Sequence, residues 1–162
     1  MQGRQTNTAR TYRRGVGIML LSSQNLVFAA QRIDTEQEAW QMPQGGIDNG
    51  EAPRVAAMRE LNEEIGTNDV DIIGESKEWL SYDFPENLAR TLWGGQYHGQ
   101  SQLWYAMRFQ GRDQDIDLGS SGRPEFSDWR WMIPAEVLNA IVKFKRPLYE
   151  AVFKEFKTVL YA

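Results

Sequence analysis

The sequence predicts an α+β fold in a single domain, and three observations predict it. Short apolar or alternating stretches recur along the chain, which is the mark of strands. One interior segment, 52–65, and one closing segment, 145–160, carry helical periodicity instead. The length of 162 residues suits one hydrophobic core. No repeat, low-complexity tract or linker divides the chain, so 1–162 reads as one domain with a loose, polar lead-in at 1–12.

The elements follow in order. "GVGIMLL" (15–21) and "LVFAAQR" (26–32) read as two strands joined by the turn-like "SSQN". "DTEQEA" is a loop, and "WQMPQGG" (40–46) is a short strand breaking into a Gly-rich turn. Residues 52–65 form a helix, with Pro53 in its first turn and Gly66 at its stop. "VDIIGESKEWLSYDF" (70–84) is mostly extended, and "SQLWYAMRFQG" (101–111) alternates like a strand. "GRDQDIDLGSSGRPE" is an acidic loop. "FSDWRWMI" (126–133) is a further strand, followed by a short helix from Pro134. The closing segment is an amphipathic helix with Leu148, Val152, Phe153 and Phe156 on one side. Trp104, Trp129 and Trp131 sit in strands and read as core, and His98 reads as an exposed loop residue with no role.

Composition narrows the chemistry. With no cysteine, disulfides, thiolate metal sites and a Cys nucleophile are excluded. With His98 alone, so is a multi-histidine metal centre. A metal here must be held by oxygen, which means a hard cation such as Mg²⁺, Mn²⁺ or Ca²⁺. A net charge of −4 argues against gripping nucleic acid by bulk charge, though not against a local basic groove. The N-terminus is polar and basic, and "VGIMLL" is too short for a signal or a membrane span. The expected compartment is the cytoplasm, with no membrane partner.

The stretch "GGIDNGEAPRVAAMRELNEEIGT" (45–67) carries the functional signal. Glu60, Glu63 and Glu64 lie within one turn of the predicted helix, and Glu51 lies one element upstream. Like charges at this spacing repel, so a compensating cation is expected beside them. Val55, Met58, Leu61 and Ile65 form the expected apolar face, which leaves an adjacent side strongly acidic. Taken alone, the three glutamates fit either a solvated face paired to Arg59 or an oxygen site for Mg²⁺. The aspartates at 113, 115 and 117 suggest a calcium loop but fail its pattern. The sixth position is Leu118 where Gly is needed, and the twelfth is Pro124, one short of Glu125.

The surrounding spacing shifts the balance between the two readings. The stretch fits G-x5-E-x7-R-E-U-x-E-E-x-G-U (U bulky and apolar) at Gly45, Glu51, Arg59, Glu60, Leu61, Glu63, Glu64 and Gly66. Chance agreement is on the order of 10⁻⁹ per start point. Here the chain resembles the Nudix hydrolase family, with one departure: Thr67, β-branched and of similar size, stands where Ile, Leu or Val is usual. The likeness extends through "YRRGVGIML", "WQMPQGGID", "EWLSYDFP", "GQSQLWYAMRF", "PEFSDWRW" and "VKFKRPLYEAVFKEF". It is closest to the bacterial RNA pyrophosphohydrolase, or (di)nucleoside polyphosphate hydrolase, branch.

That resemblance implies a mixed β-sheet sandwiched between helices (α/β/α) and hydrolysis of a pyrophosphate bond. It implies Mg²⁺, or Mn²⁺ or another divalent cation, held by Glu60, Glu63, Glu64 and Glu125 and by the backbone of the Gln44–Gly45 loop. Glu63, Glu64 and Glu125 are the candidates for proton transfer, and Arg59, with Glu51, supports them by ion pairing. Arg13, Gln41, Gln44, Tyr82, Phe144 and Lys145 are the implied substrate contacts. "YRRG" departs from the branch's more frequent "YRPN". The implied substrate is a 5′-triphosphorylated RNA end, met in a transient RNA contact, or a dinucleoside polyphosphate such as diadenosine tetraphosphate. A Nudix fold that only binds nucleotide or RNA is the non-enzymatic alternative.

Overall fold

A computed structural model of the chain describes residues 11–34 and 38–161. Most of the expected lead-in, and residues 35–37 of the loop after the second strand, lie outside the described residues. Among the described residues no helix is long and apolar enough to cross a membrane.

The continuous apolar run near the start becomes β1 (Tyr12–Leu21), and its side chains explain why it does not alternate with polar residues. Val16, Ile18 and Leu20 enter one core, while Met19 and Leu21 enter another on the opposite face, all fully buried. A strand covered on both faces reads as one hydrophobic run. β1 pairs in parallel with β7 (Gly99–Phe109), from Tyr12 opposite Gly99 to Leu21 opposite Arg108. On its other side it pairs antiparallel with β2 (Val27–Arg32) and β4 (Gln44–Gly46). The mixed sheet runs β3-β2-β1-β7-β5, where β3 is Trp40–Gln41 and β5 is Val70–Glu75. β6 (Leu80–Asp83) adds to β7, and β8 (Phe126–Met132) adds to β2.

Helices cover both faces, giving the three layers expected. One face carries α1 (Pro53–Ile65), which begins behind Pro53 and stops at Gly66. Gly66 adopts φ 77°, the left-handed conformation that favours glycine, and donates its N–H to the Asn62 carbonyl at 3.0 Å. Thr67 is accommodated just beyond, where its hydroxyl accepts the Asp69 N–H at 3.2 Å. The apolar face of α1 needs correction. Ala56, Ala57, Leu61 and Ile65 are buried together with Glu64, and Met58 is half-buried, but Val55 is 58% exposed. The helix is phased on Ala57, Leu61 and Ile65, and Val55 points about 160° away from Ala57. Small alanines let the helix approach the sheet closely, and that phase turns Glu64 inward.

The opposite face is covered by α3 (Pro134–Ala140), α4 (Arg146–Glu155) and α5 (Lys157–Leu160). Leu148, Val152, Phe153 and Phe156 are buried as expected, joined by Tyr149. The closing helix is not continuous from 145, however. It is broken at Phe156 and preceded by a short 3-10 turn, Lys143–Lys145, which places Lys145 at its mouth. Trp104 is fully buried, while Trp129 and Trp131 are half-buried against Phe28. Between β6 and β7, where no element was expected, lie α2 (Glu86–Ala89) and a tight turn at Leu92–Gly95.

Candidate active site

The site begins where β4 meets α1. The Gly-rich strand lies directly against the helix, and a Cβ at Gly45 would overlap the Glu60 carboxylate. Glycine is therefore required by space, and the backbone of this loop reaches the carboxylates closely. The Gln44 N–H donates to Glu64 Oε2 at 3.2 Å. Arg59 organises the rest of the acidic side. Its Nε and Nη2 donate to the two Glu51 oxygens at 2.8 Å, and its Nη1 donates to Glu60 at 2.8 Å. Nη1 also reaches Glu63 at 3.4 Å, and Nη2 reaches the Gly46 carbonyl at 3.0 Å. The Arg59 hydrogen bonds, with the Asp48 N–H, hold the Glu51 carboxyl down at about 2.

The carboxylates facing the cleft behave in the opposite way. Burial raises Glu60 above the usual carboxylate range despite Arg59, and neighbouring Glu63 and Glu125 add to the rise. Glu64 is 5% exposed, and burial pushes it well above that range, with the charges of Glu125 and Glu60 next. Glu125 itself is exposed and reaches in from the loop before β8. Glu63 is the outermost of the helical three, with half its side chain exposed.

The other wall is cationic and aromatic. Lys145 is buried, with its ammonium 5.6 Å from the Tyr82 ring centroid. Burial, then the charge of Arg32, lowers its pKa to about 8, although Glu64 and Asp34 pull it back up. Tyr82 is pushed up to about 12, mainly by burial, and its hydroxyl accepts a hydrogen bond from Gln100 at 2.6 Å. Phe144 lies 6.0 Å from Tyr82. Arg32 chelates Asp34 at 2.5 and 2.7 Å, and its Nη1 lies 3.5 Å from Gln41 Oε1. The Gln44 side chain accepts from buried Gln102 at 3.1 Å.

These groups surround one cleft of about 980 Å³. Glu60, Glu63, Glu64, Glu125, Gln44, Gly45, Arg13, Gln41, Tyr82, Phe144 and Lys145 all line it. Arg59 does not, and stands behind the glutamates as their ion-pair partner. His98 is exposed, and its Nδ1 accepts the Thr11 N–H at 3.2 Å. Sequence reasoning missed Arg32, Trp93, Gln100 and Arg123, which also line the cleft. Arg32 had a signal, a charge ending an otherwise apolar strand. Trp93 and Arg123 lie in segments with no periodicity to place them.

The donor set suits a hard divalent cation. Only oxygen ligands are present, and the two inward carboxylates are raised by burial and by the charges of neighbouring carboxylates, which a bound cation would relieve. Among the described residues no three acidic or histidine side chains are gathered at ligand spacing, and Arg59 takes oxygens of Glu51, Glu60 and Glu63 instead.

Comparison with known proteins agrees with this geometry. The family model for the NUDIX domain matches residues 11–152. The chain is 52% identical over 149 residues to the RNA pyrophosphohydrolase of Rickettsia typhi, covering 92% of each chain, and equally so to that of Rickettsia conorii. Among solved structures it is similar to the E. coli dihydroneopterin triphosphate pyrophosphohydrolase, with a TM-score of 0.68 at 18% identity over 88% of this chain and 97% of that one. It is also similar to a C. elegans Ap4A hydrolase, with a TM-score of 0.65 at 18% identity over 91% and 97%. At such identities the structures speak for the fold alone, while the family model and the Rickettsia sequences span nearly the whole chain. The chain belongs to the Nudix hydrolase family.

Proposed function

We propose that this Nudix hydrolase removes diphosphate from 5′-triphosphorylated RNA ends, leaving a 5′-monophosphate, in the cytoplasm and with Mg²⁺. Nudix hydrolases generally use divalent cations, and oxygen-only donors favour a hard one. The observation that carries the reading is the division of the cleft. Carboxylates from α1 and the loop before β8 share the cleft with the cations Arg13, Arg32 and Lys145. A polyphosphate needs both sides: cations on its outer oxygens, and carboxylates where the attacking water is activated. The 52% identity to curated RNA pyrophosphohydrolases supports RNA as the substrate.

In this mechanism Glu60, Glu63, Glu64 and Glu125, with the Gly45 backbone, hold the cation. When bound, it neutralises phosphate oxygens and makes water more acidic. Arg59 does not touch substrate; it fixes the rotamers of Glu60 and Glu63. Gln44 orients Glu64 through its backbone N–H. Water adds to phosphorus as a P–O–P bond breaks, and its proton passes to a carboxylate of the Glu64–Glu125 pair. Lys145 and Arg13 hold the phosphates, Gln41 and Gln44 offer amides, and Tyr82 and Phe144 present ring surface to the nucleoside.

Dinucleoside polyphosphates are the second reading, favoured by the net charge of −4, which suits a small ligand over a long nucleic acid. A side-by-side assay of kcat/KM on a short 5′-triphosphorylated RNA and on diadenosine tetraphosphate decides between them. Preference for the RNA is expected. Preference for the dinucleotide would overturn the RNA reading, and activity on neither would leave a binding module.

A further inference from the structure

We propose that Trp93 is a positioning residue for Arg13, holding its guanidinium flat on the indole so that its N–H edge meets the outermost phosphate. The inference rests on the polyphosphate reading of the cleft.

Trp93 has a backbone that a bulky residue rarely adopts, φ 46° and ψ 41°, followed by Gly94 and Gly95, both also at positive φ. Such an outlier needs surroundings that hold it and points to a role for the side chain. The ring is 44% exposed, yet it is braced from behind. Phe84 stacks on it at 5.7 Å and 30°, and Tyr97 meets it edge-on at 6.2 Å. Phe84 in turn contacts Tyr82 at 5.8 Å, so an aromatic series runs from the Tyr82 wall to Trp93.

Arg13 closes that series, with its guanidinium carbon 4.5 Å from the indole centroid. Nη1 also lies 3.4 Å from Gln100 Oε1, and the guanidinium occupies the space a Cβ at Gly46 would fill. It thus sits beside the Gly-rich loop of the carboxylate wall. Among the described residues it forms no ion pair. That combination suits an anion receptor. A carboxylate partner would compete with phosphate for the N–H donors, whereas a ring engages the flat face and leaves the in-plane donors available.

The test is calorimetric titration of inorganic tripolyphosphate with Mg²⁺ into the wild type and into Trp93→Phe, Trp93→Leu, Arg13→Ala, Arg13→Lys and the Arg13→Ala/Trp93→Leu double variant. Trp93→Leu is expected to weaken binding about fivefold, within the range of one cation–π contact, and Trp93→Phe to recover most of the loss. The double variant is expected to bind no more weakly than Arg13→Ala alone. With a 5′-triphosphorylated substrate, Trp93→Leu is expected to raise KM and spare kcat. Arg13→Lys keeps the charge and loses the planar stack, so it is expected to weaken binding comparably, and this holds even if Trp93→Leu fails to fold. Unchanged affinity in Trp93→Leu, additive losses in the double variant, full function in Arg13→Lys, or no tripolyphosphate binding by the wild type would each overturn the proposal. Failure of the wild type to turn over either nucleotide substrate would instead refute the proposed function, and the titration would still decide the place of Trp93.

Discussion

Lys145→Met is predicted to stabilise the protein while impairing it. The ammonium is buried beside Arg32, and its pKa falls from the ordinary 10.5 to about 8. At about 1.4 kcal/mol per pH unit, keeping that charge costs the folded state about 3 kcal/mol at pH 7. Met keeps the unbranched stem and removes the charge, so a gain of about 2 kcal/mol is expected, or about 4–8 °C in Tm for a chain of this size. The pH dependence separates this cause from general repacking. Between pH 8 and 10.5 the unfolded chain still holds the proton that the folded one has released, so wild-type stability rises with pH across that window. The Met variant lacks this contribution. Urea denaturation at pH 7 and pH 9.5 measures both effects, and diphosphate-release assays should show a raised KM from the lost phosphate contact. A variant no more stable than the wild type at pH 7, or with the same pH slope, would refute the reasoning.

Other substitutions test the supports of the site. Tyr149→Phe removes the hydroxyl that accepts the Met42 N–H at 2.9 Å in the core. That leaves a buried donor unpaired, and a loss of about 1–3 kcal/mol is expected by urea denaturation; an unchanged midpoint would show that the turn before Gln44 does not depend on it. Gly45→Ala drives a Cβ into Glu60, so Mg²⁺ affinity measured by calorimetry should fall, and wild-type affinity would remove Gly45 from the cation site. Arg59→Ala frees Glu51, Glu60 and Glu63 from their shared partner. It should lower kcat more than it raises KM, and normal turnover would return Arg59 to a surface role.

Much of this was legible in the chain. The strands, α1 and its ends followed from apolar runs, Pro53 and Gly66, because those signals act locally. The acidic spacing from Gly45 to Gly66 located the carboxylate wall, and Arg13, Tyr82, Glu125 and Lys145 from distant segments line the same cleft. Helical phase was the weaker inference. Val55 and Leu61 are equally apolar in a sequence, and only packing against the sheet showed which of them turns inward. The 86–98 segment carried no period at all, since its turn depends on left-handed backbone at Trp93, Gly94 and Gly95 and on a stack built from Phe84 and Arg13. Arg32 reads as a strand-ending charge, and only the fold shows it beside Lys145 and Gln41.

The most direct measurement of the central claim is product analysis of a 5′-triphosphorylated RNA incubated with Mg²⁺ and either the wild type or Glu64→Gln. The account predicts a 5′-monophosphorylated RNA and diphosphate from the wild type. Glu64→Gln, folded to the wild-type thermal midpoint or above because Glu64 is buried, should yield almost none. Near-normal product from Glu64→Gln would contradict the claim that the buried carboxylates of α1 form the reaction centre.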